Sequence, residues 1–183
     1  TGRYAGRKAA AYAKGIEAGK VCRDQINAEK ERVLAPTKRD GGIEWKELHN
    51  GLCRVMQYYA GEFRSEELLD LGLEELERIR QNAVPQLYAV DPHKLMRSLE
   101  DLSMMDYAEI ILHAMKERKL TSPSLRIDRV DYPKNDPAEE NSYLTLRLED
   151  GEVKYKRVPI RYWGNMKEQY EAHNPDYTGV YKP

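Results

Sequence analysis

Through the first 120 positions the apolar residues recur mostly three and four apart, the spacing of a helix face. Trp45, Leu48, Leu52, Val55, Met56 and Tyr59 predict a helix from Ile43 to about Tyr59. Leu69, Leu73, Leu76 and Ile79 mark the buried stripe of the next helix. Ser65 stands as its N-cap, with Glu66 and Glu67 in the first turn where the helix dipole favours anions. Phe63-Arg64 reads as a break before it, and Glu74 and Arg78 as a favourably ordered surface ion pair. Pro85 interrupts the pattern. Asp91 then caps a long helix, with Pro92 at its first position, running to about Lys119. Leu95, Leu99, Leu102, Met105, Leu112 and Met115 form its core face, and Met104, Ile110 and Ile111 widen it, which makes it the central member of a bundle.

Two further helices precede these. Residues 2–18 read as one helix in which Gly2, Gly6 and Ala10 form one row and Ala5, Ala9 and Ala13 a neighbouring one. Glycine costs helix stability, so two of them on a face without bulk point to close packing by another backbone. A second stretch, about 20–34, stops at Ala35-Pro36. A loop, Thr37 to Gly42, follows it.

From Thr121 the period changes. Residues 143–149 and 152–158 alternate around Asp150-Gly151, predicting a hairpin closed by a type I′ turn. A two-residue loop sets Leu148 opposite Val153 and Leu146 opposite Tyr155. These four and Leu144 share one face, while Thr145, Arg147, Lys154 and Lys156 share the other. An isolated hairpin is marginal in water, so the apolar face should lie on the helices or on a missing partner. The tail from Ile160 to Pro183 is rich in Tyr, Asn, Gly and Pro and is expected to wrap a surface.

Composition narrows the function classes. The 183 residues carry 33% charged and 40% hydrophobic side chains and a net charge of −1, with both signs interleaved. That balance argues against a general nucleic-acid binder and against a polybasic membrane anchor. No apolar run approaches the length of a membrane span. Cys22 and Cys53 lack CxxC spacing and read as two buried thiols in a reducing compartment. Glu109 and His113 share a helix face four residues apart and are a candidate metal pair, but a metal centre needs more ligands, and such a pair is more often structural. His49, His93 and His173 are isolated and read as surface or capping groups. Gly-x-Ser-x-Gly, P-loop and Gly-x-Gly-x-x-Gly motifs are absent from the sequence. On residue chemistry alone the chain is a helical bundle without a self-contained active site.

Three stretches, taken in order, carry a resemblance. Thr1-Gly2-Arg3-Tyr4-Ala5-Gly6-Arg7-Lys8-Ala9-Ala10 resembles the last helix of the FAD domain in the succinate dehydrogenase/fumarate reductase flavoprotein family. Val55-Met56-Gln57 through Phe63-Arg64-Ser65-Glu66-Glu67-Leu68-Leu69, continuing to Leu73-Glu74-Glu75-Leu76, resembles that family's C-terminal helical domain. Arg129-Val130-Asp131-Tyr132-Pro133-Lys134-Asn135-Asp136 resembles the segment that follows the family's long helix. Adenylylsulfate reductase α subunits share this layout. Two stretches depart from it: Lys116-Glu117-Arg118-Lys119-Leu120 stands where a Glu-Ser-Arg-Gly-type segment is usual, and Ser142-Tyr143 follows an insertion, Pro137-Ala138-Glu139, where a Trp is common.

The resemblance implies a mainly α fold: a spectrin-repeat-like three-helix bundle with a C-terminal β-hairpin and extended tail. Residues 1–18 would be the terminal helix of a truncated FAD-binding domain, 19–120 the helical bundle domain, and 121–183 loop, hairpin and tail. The chain, which starts at Thr1, would be the C-terminal fragment of a FAD-dependent oxidoreductase. It would cover its own FAD-binding domain and contact an iron–sulfur subunit, in the cytoplasm or peripherally at the membrane through partner subunits. FAD is expected in the full-length parent and not in this fragment, which is expected to be inactive alone. Flavin contacts and the substrate-binding arginine would precede Thr1, so no catalytic, cofactor-binding or metal residue is assigned and the substrate is not legible. The alternative is a non-enzymatic helical interaction module docking a partner through its hairpin face.

Overall fold

Capping chemistry sets the bundle helices. In α4 (Glu66–Asn82) the Ser65 hydroxyl accepts from the Leu68 N–H at 3.1 Å, and in α5 (Pro92–Glu117) the Asp91 carboxylate accepts from the Lys94 N–H at 2.8 Å. The computed structural model that contains them describes residues 1–17, 19–134 and 142–160, with 168 and 172. The third bundle member, α3 (Trp45–Tyr59), starts two residues later than its apolar pattern predicts. Ile43 is held instead in a parallel bridge with Leu87: its N–H donates to the Gln86 carbonyl at 2.8 Å, and its carbonyl accepts from the Tyr88 N–H at 3.1 Å. The approach is possible because residue 42 is glycine, at φ +149°. A Cβ there would lie 2.1 Å from the Gln86 oxygen.

The three helices close on one core of Leu48, Leu52, Val55, Leu69, Leu76, Leu87, Met105, Ala108 and Leu112. Gly72 of α4 lets α3 come near: a Cβ there would stand 2.8 Å from Tyr59 Cβ and 3.4 Å from Leu112 Cδ1. The buried line of α5 differs from the predicted one. It runs through Ser98, Asp101, Met105, Ala108 and Leu112, while Met104, Ile110 and Ile111 are exposed rather than widening the core. The expected Glu74–Arg78 pair is replaced by a bidentate Arg78–Glu75 pair, because one turn of α4 brings the Glu75 carboxylate onto the guanidinium fork.

The N-terminal helices lie outside this core. α1 spans Gly2–Lys14, short of the expected residue 18, and ends at Gly15. None of its residues is buried, and a Cβ at Gly2 or Gly6 would meet no atom within 4 Å. α2 spans Arg23–Leu34 and passes into a 3₁₀ turn, Ala35–Lys38, so Pro36 tightens the helix rather than ending it at once, and is itself buried. Both cysteines are exposed, contrary to the expectation of buried thiols. Cys22 sits at the N-cap of α2, and Cys53 is one residue out of phase with the buried Leu52.

Phe63-Arg64, expected as a break, is a short strand β1 (Phe63–Arg64) paired in parallel with β2 (Asp128–Arg129). The hairpin comprises β3 (Ser142–Glu149) and β4 (Glu152–Pro159), with Leu148 opposite Val153 and Leu146 opposite Tyr155 as predicted. Asp150 (φ +53°) and Gly151 (φ +80°) give the two positive dihedrals of a type I′ turn. The hairpin leans on the C-terminal half of α5: His113 Nδ1 lies 3.1 Å from Tyr155 Oη, and Arg157 donates to the Glu117 carbonyl at 3.0 Å. The tail apart from Ile160, Glu168 and Ala172 lies outside the described residues, as do His173 and residues 135–141.

Candidate functional site

Arg129 is 1% exposed and organises the C-terminal end of α5. Its Nη1 donates to the carbonyls of Met115 (2.8 Å), Lys116 (3.2 Å) and Arg118 (2.8 Å), groups that a helix terminus leaves without partners. Its Nε and Nη2 fork onto Asp131 at 2.8 and 2.7 Å. Asp131 Oδ2 also accepts from the Glu66 N–H at 2.8 Å, the first amide of α4. A cation therefore caps a helix C-terminus and its carboxylate caps a helix N-terminus, each complementing the local dipole. The Arg129 guanidinium, with help from the Glu66 amide, holds the Asp131 carboxyl down at about 2, against the opposing effect of burial. Thr121, also buried, accepts from the Arg129 N–H (2.9 Å) and donates to the Tyr132 carbonyl (2.9 Å). The guanidinium lies 5.0 Å from the Tyr132 ring centre.

Beside this node, between α5 and β3, lies a groove of about 780 Å³. Ile111, Met115 and Leu144 line its apolar side, and Arg64, Arg118 and Arg157 reach it from β1, the end of α5 and β4. Arg64 Nε donates to the Gly61 carbonyl at 2.6 Å, and Arg118 Nη2 to Ser122 Oγ at 2.9 Å. Burial, and then the nearby charges of Arg118 and Arg129, pull the Arg64 guanidinium below its usual range.

A second polar cluster joins α3 to α5. His49 Nδ1 meets Asp101 Oδ1 at 2.9 Å, and the Asp101 side chain is only 3% exposed. Burial, opposed by His49, pushes its carboxyl up. Its Oδ2 and the Nε of Arg97 are buried without a hydrogen-bond partner. Trp45 packs edge-on to His49 at 6.1 Å, with Arg97 over its ring at 5.5 Å.

Glu109 and His113, the candidate metal pair, are drawn to different partners. Glu109 Oε2 binds Arg80 Nη2 at 2.6 Å, and His113 faces Tyr155. Among the described residues, no group of three or more His, Cys, Asp or Glu side chains could hold a metal ion. His93 is exposed, whereas His49 is half-buried against Asp101. Sequence reasoning missed Asp101 because it read polar residues off the core face. The row 98, 101, 105, 108, 112 keeps the alternating three-and-four step and would have placed it inside. Arg129 and Asp131 were legible as a motif, but two residues of alternation give no sign that one guanidinium would reach three carbonyls of the preceding helix.

The fold and sequence have known counterparts. The family model described as Fumarate reductase flavoprotein C-term matches residues 49–173, about two thirds of the chain. Comparison with curated protein sequences finds no significant match. Among solved structures, adenylylsulfate reductase from the hyperthermophilic Archaeoglobus fulgidus aligns at a TM-score of 0.71 and 21% identity, over 78% of this chain and 25% of its own. The Sdh1 complex of Mycobacterium smegmatis in its apo form aligns at 0.66 and 20% identity, over 96% of this chain and 31% of its own. Quinol fumarate reductase of E. coli aligns at 0.61 and 17% identity, over 78% and 26%. The chain thus spans only a quarter to a third of the length of these proteins, and at such identities they share its fold. Among the described residues no helix is long and apolar enough to cross a membrane. The match over residues 49–173, a range that takes in α4, α5 and the Arg129–Asp131 pair, places the chain in the fumarate reductase flavoprotein C-terminal family.

Proposed function

We propose that this chain is the C-terminal helical region of a FAD-dependent oxidoreductase flavoprotein subunit. The observation that carries the proposal is the family match over residues 49–173. In this reading residues 1–18 are the terminal helix of the FAD-binding domain, 19–120 the bundle domain and 121–183 the loop, hairpin and tail. The parent binds FAD, passes a hydride between its substrate and the flavin, and hands electrons on to an iron–sulfur partner. This region covers the FAD domain and positions that partner. The small-residue rows of α1 supply a surface another backbone can approach closely, since Gly2 and Gly6 leave open space around them. The parent works in the cytoplasm, or peripherally at a membrane through its partner subunits. In this reading the FAD-binding domain holds the flavin, so the isolated chain is expected to be colourless and catalytically silent.

The test is the visible absorption spectrum of the full-length gene product, purified without added cofactor, beside this chain. A flavin spectrum in the parent and none in the chain is the expected result. A colourless parent that also fails to take up added FAD overturns the proposal. One observation favours a second reading, a non-enzymatic interaction module: Met96, Met104, Tyr107, Ile110 and Ile111 expose an apolar strip along α5. That reading is taken up if the parent proves flavin-free.

A further inference from the structure

Four arginines line the groove between α5 and β3: Arg64, Arg118, Arg129 and Arg157. Arg129 and Arg157 each pair with a carboxylate, Asp131 and Glu117. Arg64 and Arg118 do not: their side-chain partners are the Gly61 carbonyl and the Ser122 hydroxyl, both neutral, and no carboxylate among the described residues lies within ion-pair distance of either. Both are half-buried and both line the groove between α5 and β3. Arg129 is already saturated by Asp131 and three carbonyls.

Two guanidinium groups held together without a counter-charge are costly unless an anion joins them. Their planar forks match a carboxylate. Most of the remaining lining is apolar, Ile111, Met115, Leu120, Ile127 and Leu144 among it, beside the hydroxyl groups of Ser122, Ser142 and Tyr143. A bare inorganic anion would leave that surface wet, whereas an apolar chain would cover it. The volume of about 780 Å³ lies in the range of small-molecule sites.

We propose that this groove binds an organic carboxylate with an apolar body, its head group on Arg64 and Arg118 and its chain along Ile111, Met115 and Leu144. The site belongs to the bundle and hairpin themselves and does not rest on the flavoprotein reading.

The test is calorimetric titration of the 183-residue chain with octanoate, octanol and inorganic phosphate at neutral pH, repeated on Arg118→Gln and Ile111→Glu. The Arg118 guanidinium bonds only the Ser122 hydroxyl among the described residues and Ile111 is 39% exposed, so both variants should fold, which circular dichroism checks. Octanoate is expected to saturate a single site on the parent chain. Loss of one charge-assisted contact should weaken it by about tenfold or more in Arg118→Gln. Ile111→Glu, which sets a carboxylate in the groove, should abolish it. Three results overturn the proposal: no saturable octanoate binding, octanol or phosphate binding as tightly as octanoate, or both folded variants binding octanoate like the parent.

Discussion

Arg129 and Asp131 stand two residues apart and meet through two parallel hydrogen bonds, of 2.8 and 2.7 Å, although one is 1% exposed and the other faces solvent on one side. The pair ties the end of α5 to the start of α4 and fixes the β1–β2 contact between them. Removing one member of a buried pair costs more than the pair contributes, because the other charge is left behind. Asp131→Asn should therefore lower unfolding free energy by about 3 kcal/mol or more. Arg129→Lys should cost a similar amount, since an ammonium cannot hold a fork and three carbonyls at once. Urea unfolding followed by circular dichroism measures both. A loss under about 1 kcal/mol, the worth of an ordinary surface ion pair, would mean the node is not structural.

The same pair predicts an acid limit. Asp131 is held at about 2, below the ordinary Asp range near 4. A carboxyl with a lowered native value stabilises the fold above its unfolded value and loses that contribution as pH falls through the native one. The window is thus about pH 4 down to about pH 2, and the loss is about 2 kcal/mol. Stability measured across that window should fall in the parent chain. In Asp131→Asn the part of that slope owed to Asp131 should be missing. An unchanged slope in the variant would assign acid sensitivity to other carboxylates.

Gly72 sets the distance between helices. A methyl group there would meet Tyr59 Cβ at 2.8 Å, closer than packed atoms allow, and that atom is the root of the Tyr59 side chain, fixed to the backbone of α3, not its flexible tip. Gly72→Ala gains about 1 kcal/mol of helix propensity, yet overpacking of about 1–3 kcal/mol acts against it. The net expectation is a less stable protein. Thermal unfolding of the variant decides it, and a raised midpoint would show that α3 and α4 can part without cost.

The bundle was legible because α4 and α5 announce their own starts. Ser65 and Asp91 cap where their side chains predict, and Asp150-Gly151 fixes the hairpin register by demanding two positive dihedrals. What was not legible depends on contacts between segments distant in sequence. Phe63-Arg64 becomes a strand only because Asp128-Arg129 arrives beside it, 65 positions later. The groove arginines likewise come from β1, the end of α5 and β4, and local periodicity does not assemble them. The exposed Met104, Ile110 and Ile111 show a further limit: apolar composition marks surfaces that can be covered, not only those covered within the chain.

Asp101 supplies the opposite pH sign to Asp131. Its side chain is 3% exposed, one oxygen takes His49 and the other has no partner, and burial pushes the carboxyl up. A raised carboxyl stabilises the fold fully below its unfolded value, and that contribution is lost as pH rises through the native one. At neutral pH the ionised form therefore carries a desolvation cost that a neutral amide of the same shape avoids. Asp101→Asn keeps an acceptor for His49 and should be at least as stable as the parent at pH 7. The difference should shrink or reverse below about pH 4, where the parent's carboxyl is protonated too. Paired denaturation curves at the two pH values measure this. If the variant is instead less stable by several kcal/mol at pH 7, the ionised Asp101–His49 pair is a net stabiliser of the α3–α5 contact, and the unpartnered oxygen is compensated by a group on that face.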